Sequence, residues 1–274
     1  MASEFLSREE APFGGEVWQK IDDTVVGAAS SQLAGRRILE IEGPYGFGIK
    51  AIPGMDRPVG ESVSMREVKA ELISSPMIPL ASVQSSFAIP IRDVASFEQT
   101  GIEFDISEAA SAAIAAARQE DTLIFLGSRA LGVEGLASLK AAGSYKLGSW
   151  DEVGKSIDDI IAAIGVLDKA GFPGPYAMAL APNRYNLLFR RYMQGNLSEF
   201  DLLKEVISGG IVKAPVLKDG GVIVASGRQF ATIALGQDLV ATFVGPVDGT
   251  YEFLLVGSLT LRVKVPEAIC VLKT

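Results

Sequence analysis

Adjacent carboxylates are the first residues in this chain that could do chemistry. Asp22-Asp23, Glu120-Asp121 and Asp158-Asp159 each set two acids side by side, and Glu40 and Glu42 would share one face of a strand. Two carboxyl groups flanking one bond are the tools of glycoside hydrolysis. Neighbours in sequence point to different parts of a helix surface, so the three adjacent pairs read as solvated faces. Glu40 and Glu42 read as structural partners of Arg36 or Arg37. The cluster Gly43-Pro44-Tyr45-Gly46-Phe47-Gly48 matches neither phosphate-binding glycine pattern and reads as a turn. There is no G-x-S-x-G, no S-x-x-K and no histidine. That removes the Ser-His-Asp triad, the Cys-His pair and imidazole metal ligands. The lone Cys270, in an apolar run, excludes an internal disulfide and reads as a small buried hydrophobe. The expectation is a protein that is not an enzyme, with no catalytic residue, no metal and no cofactor.

Composition agrees with a non-catalytic role. The 274 residues are 48% hydrophobic and 21% charged, enough for one large domain or two intimately packed ones. Mean hydropathy is +0.29, yet no run approaches the length of a membrane span. An apolar surplus without a span points to subunit contacts. The net charge of −8 and the absence of a basic stretch argue against a nucleic-acid partner. The first residues show no basic region followed by an apolar one, so a cytoplasmic location is expected, with no membrane partner.

Periodicity supplies the elements. Val17, Trp18, Ile21, Val25 and Ala28 recur at three-to-four spacing and predict an amphipathic helix from Glu16 to about Ser31. The end of Arg36–Glu42 alternates like a strand. Residues 47–78, broken by Pro53-Gly54 and Pro58-Val59-Gly60, predict a projecting hairpin too poor in apolar residues to bury a core alone. Val83 to Ile91 predicts a strand. Asp105-Ile106-Ser107-Glu108 has the form of a capping box and opens an alanine-rich spine helix closed by Gly127. A second box, Ser149-Trp150-Asp151-Glu152, opens a helix ending before Gly171. Ala177–Leu180 predicts a buried strand, Pro182 the first turn of a helix, and Ser198 the start of a short one. The remainder is strand-rich, at about 211–214, 221–225, 231–235, 239–244, 251–265 and 268–272. Helices and strands mix without a βαβ rhythm, which favours α+β.

The stretch Leu33-Ala34-Gly35-Arg36-Arg37-Ile38-Leu39-Glu40-Ile41-Glu42-Gly43-Pro44-Tyr45-Gly46 resembles the encapsulins, or linocin-type bacteriocin proteins, in which L-x-G-R-[KR]-x-x-[DE]-x-x-G-P-x-G follows an N-terminal helix. Gln119-Glu120-Asp121, Gly132–Leu136, Gly174-Pro175-Tyr176, Gly209-Gly210, Gly236–Leu239 and Pro266-Glu267-Ala268 continue the resemblance in order.

It implies the tailed-bacteriophage major capsid protein fold. Residues 1–46 would hold the N-terminal helix and the start of a peripheral domain, 47–78 an extended loop, and 79–135 the peripheral domain with its spine helix. Residues 136–225 would form an axial domain, and 226–274 a return to the peripheral domain. The resemblance implies a homo-oligomeric icosahedral shell of about sixty copies or a larger multiple. It would enclose a cargo protein, ferritin-like or a peroxidase, that carries a C-terminal targeting peptide. Carried over by position, Trp18, Ile21, Val25, Arg36, Glu40, Ile233, Leu235 and Leu239 would bind that peptide. Met193, Gln194, Gly195, Asn196, Leu197 and Ser198 would line a five-fold pore, with Arg190 and Arg191 nearby. Some shells of the family hold a flavin near the segment Ile89–Val94. This chain has Arg92 and no tryptophan there, so no flavin is carried over. A prophage-type capsid protein packaging DNA is the alternative.

Overall fold

The computed structural model describes residues 6–65, 68–192 and 196–274. Two sheets organise the chain. In order, the elements are α1 (Gly15–Gln32), β1 (Glu40–Glu42), β2 (Ala51–Pro53), β3 (Arg57–Met65), β4 (Val68–Ser74), β5 (Met77–Pro79), β6 (Ala81–Pro90), α2 (Ile91–Thr100), α3 (Ser107–Leu126), β7 (Gly127–Ser128), β8 (Val133–Glu134), β9 (Gly143–Lys146), α4 (Lys155–Lys169), β10 (Tyr176–Leu180), α5 (Pro182–Leu187), α6 (Glu199–Val206), β11 (Ile211–Lys213), β12 (Gly221–Ala225), β13 (Ala231–Val247), β14 (Thr250–Val263) and β15 (Ile269–Lys273).

The first sheet has the order β1-β13-β14-β6 and carries α1 and α3 on one face. Val17, Ile21, Val25 and Ala29 of α1 are buried at every fourth position, so one stripe of the helix meets the sheet and α3. The buried alanines of α3 (Ala109, Ala112, Ala113, Ala116, Ala117) leave little side-chain bulk and let α1 approach closely. Under them Phe253 stacks on Phe87 at 4.8 Å and meets Trp18 edge-on at 5.7 Å.

The second sheet has the order β11-β10-β12-β15-β9 and packs against α4, α5 and α6. β10 and β12 are buried at every residue, which explains their continuous apolar runs. Between β1 and β6 the chain leaves the body as an antiparallel arm of two pairs, β2 with β5 and β3 with β4. Val63 and Leu72 on this arm are each 70% exposed. The projecting hairpin read from residues 47–78 is therefore present.

Four expectations are corrected. The C-terminal strand, expected to return to the first domain, pairs with β12 and β9 of the second sheet. Its run Ile269–Leu272 is buried throughout and fits only between two strands. The strands expected at 231–235 and 239–244 are one strand, β13, broken by register irregularities around Gln237. Neither expected capping box forms. Asp105 instead accepts from Ser107 N–H two residues on, at 2.8 Å, and α3 begins after Ile106. Ser149 is bonded to Asp151, and α4 begins only at Lys155. The box that does form is Ser198 with Asp201, at the start of α6. Finally, α2 was absent from the periodicity reading, which ran a strand up to its first residue.

Candidate functional site

A cavity of about 100 Å³ opens where α1, α3 and the irregular part of β13–β14 meet. Val25, Val26, Ala29 and Ser30 come from α1, Leu33 from just after it, Ala116, Ala117 and Glu120 from α3, Val83 from β6, and Gln237, Asp238, Leu239 and Gly257–Leu259 from the β13–β14 ribbon. The walls are mostly apolar, and Arg36 supplies the polar end. Its Nε and one terminal nitrogen donate to both oxygens of Glu120, at 2.5 and 2.9 Å. Its other terminal nitrogen meets Asp238 at 2.9 Å. Burial opposes the guanidinium charge, but Glu120 and Asp238 more than offset it and hold the group ionised.

Beneath Arg36 lies Asp121, buried on α3. It accepts from the backbone N–H groups of Ala34 and Gly35, each at 2.9 Å. The approach is so close that a Cβ at Gly35 would sit 2.8 Å from Ile124 Cδ1 and 3.2 Å from the Asp121 carboxylate. Glycine is required there by the lack of space. The Glu120-Asp121 pair, read from sequence as a solvated face, is thus the buried clamp that places Arg36 at the groove.

The desolvation of Asp121 pushes its carboxyl up to about 6, the two N–H bonds opposing the rise. Because the folded chain holds this proton more tightly than the unfolded chain does, the associated stability is full below about pH 3.8 and is lost as pH rises through about 6. Both N–H bonds survive protonation, since each oxygen keeps a lone pair. The stability difference between the wild type and Asp121→Ala is expected to widen by on the order of 2–3 kcal/mol between pH 7 and pH 4. Urea unfolding across that range measures it, and a flat difference would contradict the assignment.

The groove also borders an open sheet edge. β1 pairs with β13 only at residues 232–234, and the turn after it donates from Tyr45 and Gly46 to the carbonyls of Leu235 and Gly236, at 2.9 and 2.8 Å. Farther along, Leu6 O accepts from Phe243 N–H, and Arg8 Nε donates to Ala241 O. Between these two attachments, at 237–240, no strand among the described residues pairs with this edge of β13.

The residues expected to bind a peptide do not all meet at the groove. Val25, Arg36 and Leu239 line the groove. Ile21, Ile233 and Leu235 are core residues with almost no exposed surface and do not line the groove. Trp18 sits two turns before Val25, packed on Phe13 and Phe253 under the Arg8 guanidinium. Glu40 lies on another side of the chain, in a depression of about 230 Å³, and pairs with Arg228 at 3.5 Å. Glu42 pairs with Arg262 and Lys264 rather than with Arg36 or Arg37. The sequence reading missed Val26, Ala29, Ser30, Leu33 and Asp238. One signal was available, because Val26 is apolar yet off the buried stripe of α1 and is 61% exposed.

Of the expected pore residues, Met193, Gln194 and Gly195 lie outside the described residues. Asn196 and Leu197 are exposed. Ser198 is committed to the α6 cap and is buried. Arg190 is also committed, to the fully buried Glu199 at 3.0 Å. Among the described residues there is no cluster of acids or cysteine able to hold a metal ion, and no helix is long and apolar enough to cross a membrane.

Solved shell and capsid structures share this fold. A virus-like particle from Pyrococcus furiosus superposes with a TM-score of 0.73 at 20% identity, covering 94% of this chain and all of that one. The capsid protein of Myoviridae phage XM1 superposes with a TM-score of 0.60 at 13% identity, over 88% of this chain and 91% of its own. The fold is that of tailed-phage capsid proteins. Within that class the sequence is more specific, because the family described as "Encapsulating protein for peroxidase" (Linocin_M18) matches residues 3–260. The type 1 encapsulin shell protein EncA of Myxococcus xanthus is 32% identical over 98% of this chain and 96% of its own length. A diheme-cytochrome–encapsulin shell fusion protein of Kuenenia stuttgartiensis is 31% identical over 94% of this chain and 73% of its own. A ferritin-like–encapsulin shell fusion protein of Pyrococcus furiosus is 26% identical over 82% and 62%. The chain belongs to the encapsulin shell-protein family and is a structural shell subunit rather than an enzyme.

Proposed function

We propose that this chain closes into a cytoplasmic icosahedral shell of about sixty copies, or a larger multiple, and holds a cargo protein by its C-terminal tail. One observation carries the docking reading: an apolar groove runs beside a stretch of β13 edge that no strand among the described residues pairs with. An extended peptide laid there can add backbone hydrogen bonds to the edge and side chains to the groove. Repeated weak sites around one multimeric cargo add avidity. The exposed apolar arm supplies a surface for a neighbouring subunit. Fusion of shell domains to ferritin-like and cytochrome modules in relatives supports a redox or iron-handling cargo. We propose that residues 193–198 line an opening for small molecules.

Light scattering and negative-stain microscopy of the recombinant chain test closure, with uniform hollow particles expected and a monomer contradicting it. For docking, cargo is identified by mass spectrometry of shells from the native cell, and its last residues are fused to a fluorescent protein. Val26→Asp alters an exposed side chain of the groove and is expected to leave the particles intact while lowering loading more than about tenfold. Equal loading would move the docking site elsewhere.

A further inference from the structure

The groove shares a wall with a second cavity on the opposite face of the sheet. That cavity, about 220 Å³, is lined by Phe47, Ile49 and Lys50 at the root of the arm and by Leu80, Ser82 and Gln84 where the chain returns. Side chains alternate along β6, so Val83 faces the groove while Ser82 and Gln84 face the arm. Among the described residues, Gln237, Gly257 and Ser258 line both cavities.

Three features make this wall able to pass a displacement from one face to the other. First, β13 and β14 lose regular register along it, between Leu235 and Val240, so it can shift without breaking a ladder on both sides. Second, Gly257 has no side chain, and a Cβ there would lie 3.4 Å from the backbone of Leu239, so backbone faces backbone across the strands. Third, the far side is tightly packed at Gly236. A Cβ at Gly236 would collide with Ser258 Oγ and Leu80 Cδ2, and the buried Ser258 hydroxyl has no hydrogen-bond partner among the described residues. The arm is rooted beside this wall. Tyr45 and Gly46 donate to Leu235 and Gly236, immediately before the irregularity, and Lys50 O accepts from Leu80 N–H at 2.9 Å.

We propose that filling the groove displaces the Gln237–Leu239 segment and is transmitted through the Gly257–Ser258 wall to the root of the arm, so that a docked tail changes the posture of the element that reaches a neighbouring subunit. The proposal deepens the docking reading, and its consequence for cargo rests on that reading. Loaded and empty shells would then differ in arm geometry as well as in content.

The test fills the groove without any cargo. Ser30 is exposed and lines the groove, so Ser30→Cys places a thiol there that benzyl methanethiosulfonate converts into an apolar plug. The native Cys270 is buried, and burial pushes its thiol up to about 11, so it does not compete. Amide hydrogen exchange of the full-length chain is read on peptides spanning residues 43–50. Labelling is expected to change exchange at Tyr45 and Gly46 by at least about fivefold. The same label on Gln19→Cys, on the exposed side of α1, is expected to leave them unchanged. An unaltered arm root in labelled Ser30→Cys, or an equal change from the Gln19→Cys label, would overturn the coupling. Neither result bears on whether Val26→Asp loses cargo, so the coupling and the docking site fail separately.

Discussion

Glu199→Ala is expected to destabilise the second half of the chain by about 3–5 kcal/mol, the cost of leaving a buried ionic partner unpaired. Glu199 is fully buried in the first turn of α6. One carboxylate oxygen accepts from Gly154 N–H at 2.8 Å and from the Ser156 hydroxyl at 2.5 Å. The other accepts from Arg190 Nε and a terminal nitrogen, at 3.1 and 3.0 Å. Alanine would leave the guanidinium without its counterion and orphan an N–H and a hydroxyl at the start of α4. Arg190 also donates to Trp150 O, so the change spreads to the segment before α4. Glu199→Gln keeps the shape and an acceptor for Gly154 but loses the charge, and a loss of about 1–3 kcal/mol is expected. Denaturant unfolding followed by Trp150 emission measures both variants. A loss below 1 kcal/mol for alanine would mean that Arg190 finds another partner.

Asp121→Ala is the second large effect. At pH 7.5 it is expected to cost about 2–5 kcal/mol, because the N–H groups of Ala34 and Gly35 lose their acceptor in a place water does not reach. The close approach of Gly35 to Ile124 leaves no room for the backbone to turn and find another partner. Asp121→Asn retains one acceptor but turns an amide donor toward the other N–H, so it recovers only part of the loss. Arg36 is held on the adjacent Glu120, so cargo loading is expected to fall with Asp121→Ala even in particles that still assemble. Trp18 emission reports this half of the chain as Trp150 reports the other. Unchanged stability would show that the turn after α1 is held by packing alone.

These two acids show where the sequence was legible and where it was not. Glu120-Asp121 stood out as a pair, yet adjacency predicted solvent on both. A side chain's environment depends on what the fold brings against it, and here that was the turn at residues 34–36, some 85 positions away. Glu199 carried no local signal at all, because the N-terminus it satisfies belongs to α4, 45 residues earlier. The same limit defeated the expected boxes at Asp105 and Ser149. Their spacing was right, but each side chain found a partner two residues on before a helix could use it.

The residue pattern by itself determined that the chain lacks the usual catalytic tools, that α1 and α3 are helices, that residues 47–78 project, and that the stretch Leu33–Gly46 belongs to encapsulin shells. Each of these rests on local periodicity, turn chemistry or an ordered motif, which a one-dimensional string carries in full. Tertiary structure alone decided which side of α1 faces the groove, why Ile21 and Ile233 are core while Val26 is rim, and why the last strand crosses to the second sheet. A hydrophobic stripe marks what is buried but not what buries it. That choice is made by the long-range pairing of β13 with β14 and the break in their register.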